Sequence, residues 1–323
     1  MAKTYSVFGD SISTFKGLIP EENHWYYDPD DTNGCGISNA HDTWWMKVID
    51  ALDGELLSNA SFSGSMVQGC GFPAACDPQR AAQLLSDDMR APDNVLVFIG
   101  INDYGWGSPE AQLAGGSQAA PRCAALPSKL QEEAGFDADR EAVTAADSII
   151  AVDSAQVDPA GDADADAATR FGKAYEQMLR NIKEVAPFAH IWCITLLPGR
   201  VADNPRSTFC YRLRGIDIDE YNLAIHDAAE SVDARVADVY ALGYDYDAID
   251  GTHPNKEGMV QLASLVYAAI CKELGDDASM EAIMSEYPER LRSARFCSKP
   301  TCVGCEFSDI GPDHWSCVCA GQL

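Results

Sequence analysis

The run Asn94-Val95-Leu96-Val97-Phe98-Ile99 restricts the fold more than any other stretch of this chain. Its apolar residues do not alternate with polar ones. A strand here has no face for water and must be covered on both sides, as in parallel sheets. Parallel neighbours need long crossovers, usually helical. The flanking sequence supplies both parts. Thr4–Phe8, Glu55–Ser58, His190–Leu197 and Arg235–Val239 read as further strands. Helical spacing places Phe171, Ala174, Tyr175, Met178, Leu179, Ile182 and Val185 on one face, and Met259, Leu262, Ala263, Val266, Ile270 and Leu274 on another. Helices are also expected over 43–52, capped by Asp42, over 78–90 and over 219–232. The expected fold class is α/β, a three-layer α/β/α flavodoxin-like sandwich around a parallel sheet of about five strands.

Regularity fails in two places. From Tyr104 to about Thr169 alanine, glycine, serine and aspartate dominate, which reads as an insertion with one short helix near Ser128 to Glu133. It can serve as a lid or as a passive surface excursion. After about residue 275 a surface helix over 279–295 leads into a cysteine-rich C-terminal tail. We therefore expect one domain over 1–275, carrying the insertion, and a tail over 276–323.

The 323 residues are 46% hydrophobic, enough for a sizeable core. A formal net charge of -27 sets a field that repels nucleic acid and anionic membrane surfaces. No stretch approaches the ~20 apolar residues of a membrane span. The chain enters a strand at once with only Lys3 ahead of it and no apolar signal region, so a cytoplasmic protein is expected.

Four polar loops fall at predicted strand ends and carry Ser11, Gly64, Asn102, and Asp250 with His253. In an open parallel sheet the carboxyl ends of the strands share one edge, where ligands bind. A serine hydroxyl becomes a nucleophile when a base removes its proton, and histidine suits that task near neutral pH. A carboxylate beside the imidazole fixes its tautomer and stabilises its charged form. Asp250 and His253 are three residues apart, so one loop can bring both to Ser11. The tetrahedral intermediate also needs hydrogen-bond donors. The amides of Ser11 and Gly64 and the side-chain amide of Asn102 are donors of the right kind. The same residues have plainer readings, as turn, cap and helix-start positions. Asp10 and Asp103 read as structural hydrogen-bond partners, and Trp44 and Trp45 mainly as core. Gly9 reads as the residue of a sharp turn. A reading from another class makes Ser11, Ser13 and Thr14 the phosphate cradle of a non-catalytic flavodoxin-like binding module. The Asp250 and His253 pair argues against it, since phosphate binding needs no such dyad.

Gly9-Asp10-Ser11, Gly64, Gly100-Ile101-Asn102-Asp103 and Asp250-x-x-His253 resemble, in order, the four sequence blocks of the SGNH, or GDSL, hydrolase superfamily. Gly9-Asp10-Ser11-Ile12-Ser13-Thr14-Phe15, Asp42-Thr43-Trp44-Trp45 and Asn59-x-Ser61-x-Ser63-Gly64-Ser65 resemble a bacterial branch of it. The resemblance covers about residues 4 to 274 apart from the insertion. It implies Ser11 as nucleophile, His253 as general base and Asp250 as its orienting partner. It also implies an oxyanion hole of Ser11, Gly64 and Asn102. The implied activity is that of a serine esterase on small carboxylic esters, including short-acyl or carbohydrate O-acetyl esters, without a cofactor. The same site can instead pass the acyl group to an alcohol.

The tail holds Cys302-x2-Cys305 and Cys317-x-Cys319, which resemble the two halves of a four-thiolate zinc site, with Cys297 or His314 as substitute ligands. Structural zinc and free or redox thiols are the two readings. The partner expected from the site is a small-molecule ester, and oligomeric state is left open.

Overall fold

The computed structural model describes residues 2–30, 34–115, 167–201, 211–213 and 216–293. Its strands are β1 (Lys3–Gly9), β2 (Gly54–Asn59), β3 (Asn94–Phe98), β4 (His190–Ile194), β5 (Gly199–Val201), β6 (Arg212–Leu213), β7 (Ile216–Asp217), β8 (Arg235–Ala237) and β9 (Tyr246–Ala248). Its α-helices are α1 (Trp44–Ala51), α2 (Pro78–Ala82), α3 (Ile101–Trp106), α4 (Pro109–Gly115), α5 (Ala167–Val185), α6 (Ile218–Ser231), α7 (Lys256–Glu273) and α8 (Asp277–Ser285).

Every residue of β3 is buried, as an uninterrupted apolar run demands. It lies in the middle of a five-stranded sheet of order β2-β1-β3-β4-β8, parallel throughout. Counting only these five in chain order gives 2-1-3-4-5, the flavodoxin-like order, whose switch point falls between β1 and β3. Helix α7 packs against both α1 and α8, while α5 packs against both α2 and α6. The α5 stripe of Phe171, Tyr175, Met178, Leu179 and Ile182 is buried, and so are Trp44 and Trp45. The parallel five-stranded sheet with its helices is the architecture expected from sequence.

Several boundaries differ from expectation, each for a local reason. Helix α1 is capped by Thr43, whose hydroxyl accepts from Met46 N, rather than by Asp42. Asp42 instead pairs with Lys256 at 3.0 Å and accepts from Ser38 N. The helix expected over 78–90 stops at Ala82. Beyond it Ser86 Oγ accepts from Arg90 N and Met89 takes a positive φ of 61°, so side-chain bonding replaces the helical ladder. Strand β4 ends at Ile194, because Leu196 N donates to Asn222 Oδ1 at 2.7 Å instead of to a strand. The last helix ends at Ser285, before Pro288 and a 3-10 turn over Glu289–Leu291. The parallel pair β5–β9 and the antiparallel pair β6–β7 carry no signal of their own in a chain reading. The expected insertion begins in α3 and α4. Its middle, with the helix expected near Ser128, lies outside the described residues, as does the chain beyond Ser293. No helix among the described residues is long and apolar enough to cross a membrane.

Candidate active site

Strand β1 delivers Ser11 to the switch point of the sheet. Ser11–Ser13 forms a 3-10 turn capped by Asp10, whose carboxylate accepts from Ile12 N at 3.1 Å. Gly9 lies at the strand end for reasons of space rather than turn geometry. A Cβ there would lie 2.5 Å from Ser13 Oγ and 3.0 Å from Ser61 Oγ. That close approach lets the serine turn fold back on the strand and on the loop after β2.

His253 and Asp250 come from the loop between β9 and α7. This is the small second sheet, not the end of the fifth central strand. The loop is tied down on several sides. Ile249 N donates to His253 O at 2.8 Å, Gly199 N to Gly251 O at 2.9 Å, and the Tyr246 hydroxyl to Thr252 O at 2.6 Å. Asn255 then caps α7, accepting from Gly258 N.

Within this frame His253 Nε2 lies 2.7 Å from Ser11 Oγ, and His253 Nδ1 lies 2.8 Å from Asp250 Oδ2. A carboxylate can only accept, so Nδ1 carries the proton and Nε2 is left to accept from the serine hydroxyl. The other Asp250 oxygen, Oδ1, accepts from Thr252 N at 3.0 Å and His253 N at 2.9 Å. Burial opposes ionisation of Asp250. The adjacent His253 charge and these hydrogen bonds outweigh burial and hold its carboxyl well below the usual carboxylate range. The Asp250 and His253 side chains keep 13% and 16% of their surface in solvent, enough to be reached from outside.

The loops holding Gly64 and Asn102 border the same turn. Phe62 N donates to Gly9 O at 3.1 Å, and Asn59 Nδ2 to Ser13 O at 2.9 Å. Asn102, at the start of α3 rather than in a loop, donates through Nδ2 to Ser65 O at 3.0 Å, which sets its amide beside Gly64. Gly64 has φ of 77°, a conformation that favours glycine. Among the described residues neither the Ser11 nor the Gly64 amide donates a hydrogen bond.

Asp103 and Asp10 are structural, as expected from sequence. Buried Asp103 accepts from Val67 N, Gln68 N and Gln68 Nε2, and so ties α3 to the Gly64 loop. Trp44 and Trp45 are fully buried, and the indole N–H of Trp44 donates to Ser13 Oγ at 3.2 Å.

Reading the chain alone missed three groups here. Arg80 is fully buried and donates to Gly9 O, Ala60 O and Pro73 O, joining the ends of β1 and β2. Burial pushes its guanidinium down to about 9. Tyr26 stacks on the His253 ring, and Tyr27 donates to Pro254 O at 2.9 Å. A helix-spaced arginine and two loop tyrosines give no local signal for such contacts.

Cys35, Cys193 and Cys271 are buried, as small apolar residues should be, whereas Cys70 is exposed. Among the described residues no group of three or more His, Cys, Asp or Glu side chains is arranged to hold a metal. Cys297, Cys302, Cys305, Cys317, Cys319 and His314, the expected zinc ligands, lie outside those residues.

No curated protein sequence matches the chain. Among solved structures, a Bacteroides ovatus protein assigned to the GDSL-like lipases aligns over 84% of this chain and 99% of its own, at 18% identity and TM-score 0.47. A Bacteroides uniformis protein assigned likewise aligns over 85% and 96%, at 20% identity and TM-score 0.45. A carbohydrate acetylesterase family member from Sinorhizobium meliloti aligns over 84% and 99%, at 15% identity and TM-score 0.44. These likenesses are too distant to add weight of their own. Residues 3–118, which include Ser11, Gly64 and Asn102, match the family model described as GDSL-like lipase/acylhydrolase. The part of the chain that carries Ser11, Gly64 and Asn102 is thus similar to the GDSL-like lipases and acylhydrolases.

Proposed function

We propose that the protein is a serine esterase that cleaves small carboxylic esters through an acyl-enzyme on Ser11. The observation that carries this reading is the continuous chain from Ser11 Oγ to His253 Nε2 at 2.7 Å and from His253 Nδ1 to Asp250 at 2.8 Å. Ser11 Oγ attacks the ester carbonyl while its proton passes to His253 Nε2. Asp250, already ionised, stabilises the imidazolium so formed. The carbonyl oxygen becomes an oxyanion and accepts hydrogen bonds from the amides of Ser11 and Gly64 and from Asn102. Collapse breaks the ester C–O bond, and His253 returns the proton to the departing alcohol. Water then attacks the acyl-enzyme by the same route, releasing the acid and restoring Ser11. Short-acyl and carbohydrate O-acetyl esters are the substrate classes we infer, on the range of the superfamily. The residues proposed for these steps need no cofactor.

The test is a burst assay with a chromogenic acetyl ester and a longer-chain analogue, run on wild type and Ser11→Ala. We expect stoichiometric early release in wild type and a loss of about 10³-fold or more in the variant, the scale seen when a triad member is removed. Equal rates in the two proteins on both esters would overturn the reading.

A further inference from the structure

We propose that Tyr26 is a positioning residue for the reaction, holding the plane of the His253 ring and stabilising its charged form, with Tyr27 pinning the loop that carries it. The inference rests on the reading of Ser11 and His253 as nucleophile and base.

Tyr26 and His253 lie face to face, with ring centroids 3.7 Å apart and an interplanar angle of 5°. A parallel stack at that distance leaves the imidazole little freedom to tilt away from Ser11. The face of an aromatic ring is also electron-rich, so it attracts a cation placed over it. As the ring takes the serine proton it gains positive charge, so this attraction strengthens on the way to the transition state. Interactions of that kind raise kcat rather than lower KM.

The two tyrosines bridge both halves of the site. Tyr26 N donates to Thr14 Oγ1 at 2.8 Å, and Thr14 Oγ1 in turn donates to Ser11 O at 3.0 Å. One buried hydroxyl thus joins the backbone of the stacking residue to the backbone of the serine. On the other side Tyr27 OH donates to Pro254 O, the residue after His253. Tyr27 is buried and packs edge-on against Tyr26, centroids 4.9 Å apart. The dipeptide therefore spans from the serine turn to the histidine loop, two segments 242 residues apart in the chain. The titratable and charged groups facing His253 are Asp250 from its own loop, Asp10 from the end of β1, and Tyr26 from the segment between the serine turn and α1.

The experiment compares wild type, Tyr26→Leu and Tyr26→Phe with a chromogenic acetyl ester from pH 5 to 9. Ser11→Ala runs in parallel. We expect Y26L to lose about tenfold in kcat with KM changed less than twofold. Its acid limb should move to lower pH by about half a unit, the scale of a partly exposed cation–π contact. Y26F keeps the ring face, and should recover kcat to within about threefold with the limb back in place. A Y26L profile superimposable on wild type would overturn the inference. So would a Y26F loss as deep as that of Y26L, because the stack would then not be the source. Where Y26L fails to fold, Tyr26→Trp reads the same effect with opposite sign. Its larger π face should move the acid limb to higher pH, and an unmoved limb would overturn the inference. A fully active Ser11→Ala protein would instead defeat the esterase reading itself, whatever the tyrosine variants do.

Discussion

Two buried carboxylates flank the proposed nucleophile and are pulled in opposite directions. Burial pushes Asp10 up to about 7, aided by Asp103 and opposed by the Ile12 and Gly100 amides and by the His253 charge. Asp250 is pulled down instead, because His253 touches it directly. The signs have consequences for stability. A carboxyl raised in the folded state binds its proton more tightly there than in the unfolded chain. Its stabilising contribution is complete below the unfolded value of about 4 and is lost as pH rises through about 7. Asp10→Asn keeps an oxygen to accept from Ile12 N but removes the titration. We expect urea midpoints of D10N to gain on wild type steadily from pH 4.5 to 7.5. A difference that stays flat across that range would show that Asp10 ionises as freely in the fold as out of it. The proposed triad was legible in the chain because its chemistry restricts residue type and because Asp250 and His253 share one loop. Tyr26, Thr14 and Arg80 were not, since each acts through a contact made only once distant segments meet.

At the scale of elements, the junction of β9 and α7 decides where the histidine loop sits. Gly258 lies in the first turn of α7, and a Cβ there would stand 1.8 Å from Asp247 O. Glycine in a helix ordinarily costs roughly 0.5–1 kcal/mol relative to alanine, so replacement by alanine normally stabilises. Here the clash with backbone reverses the sign. We expect Gly258→Ala to destabilise by about 1–3 kcal/mol, the range for forced overpacking, and to lower kcat by moving His253 from Ser11. Urea unfolding and steady-state kinetics check both. A stabilised variant would show that α7 can shift at no cost to β9. The strands and long helices were readable because burial writes its period into the sequence. Their ends were less so. Helix α2 and strand β4 stop where Ser86 and Asn222 bond to the backbone, and such side-chain competition carries no periodic signal. Strands β5 and β9 are three residues each, too short for a pattern.

At the scale of the whole molecule, residues 276–293 are bonded into the same region that carries the triad loop. Asp245 N donates to Leu291 O at 2.7 Å, Ser293 N to Gly243 O at 2.8 Å, and Tyr287 OH to Asp245 O at 2.7 Å. Buried Asp245 pairs with Arg200 at 2.8 Å, and the same arginine donates to Arg290 O at 2.6 Å. Asp247 takes both arms of the Arg290 guanidinium. Strand β9 therefore sits between two acid–arginine pairs, one of them supplied by the C-terminal segment, and Asp250 follows it by two residues. Leu291 is fully buried. A chain ending after Gly275 loses these partners together, leaving Asp247 without its arginine and Asp245 N without its acceptor. The Arg290 side chain is half-exposed, so losing its pair with Asp247 costs about 1 kcal/mol, and each orphaned buried amide or carbonyl about 1–3. We expect that truncation to lower the urea midpoint sharply and to remove most esterase activity. A chain ending after Phe296 keeps every one of these contacts while discarding Cys297 and all the cysteines beyond it. It should match the full chain within about twofold in kcat, following the rule that tolerance to truncation depends on the burial and bonding of the backbone removed. The two cuts separate two roles for the C-terminal region. Loss only with the shorter chain assigns the support of the triad loop to residues 276–293. Equal loss with both assigns it to the cysteine-rich tail, and no loss with either would mean that β9 holds its place unaided.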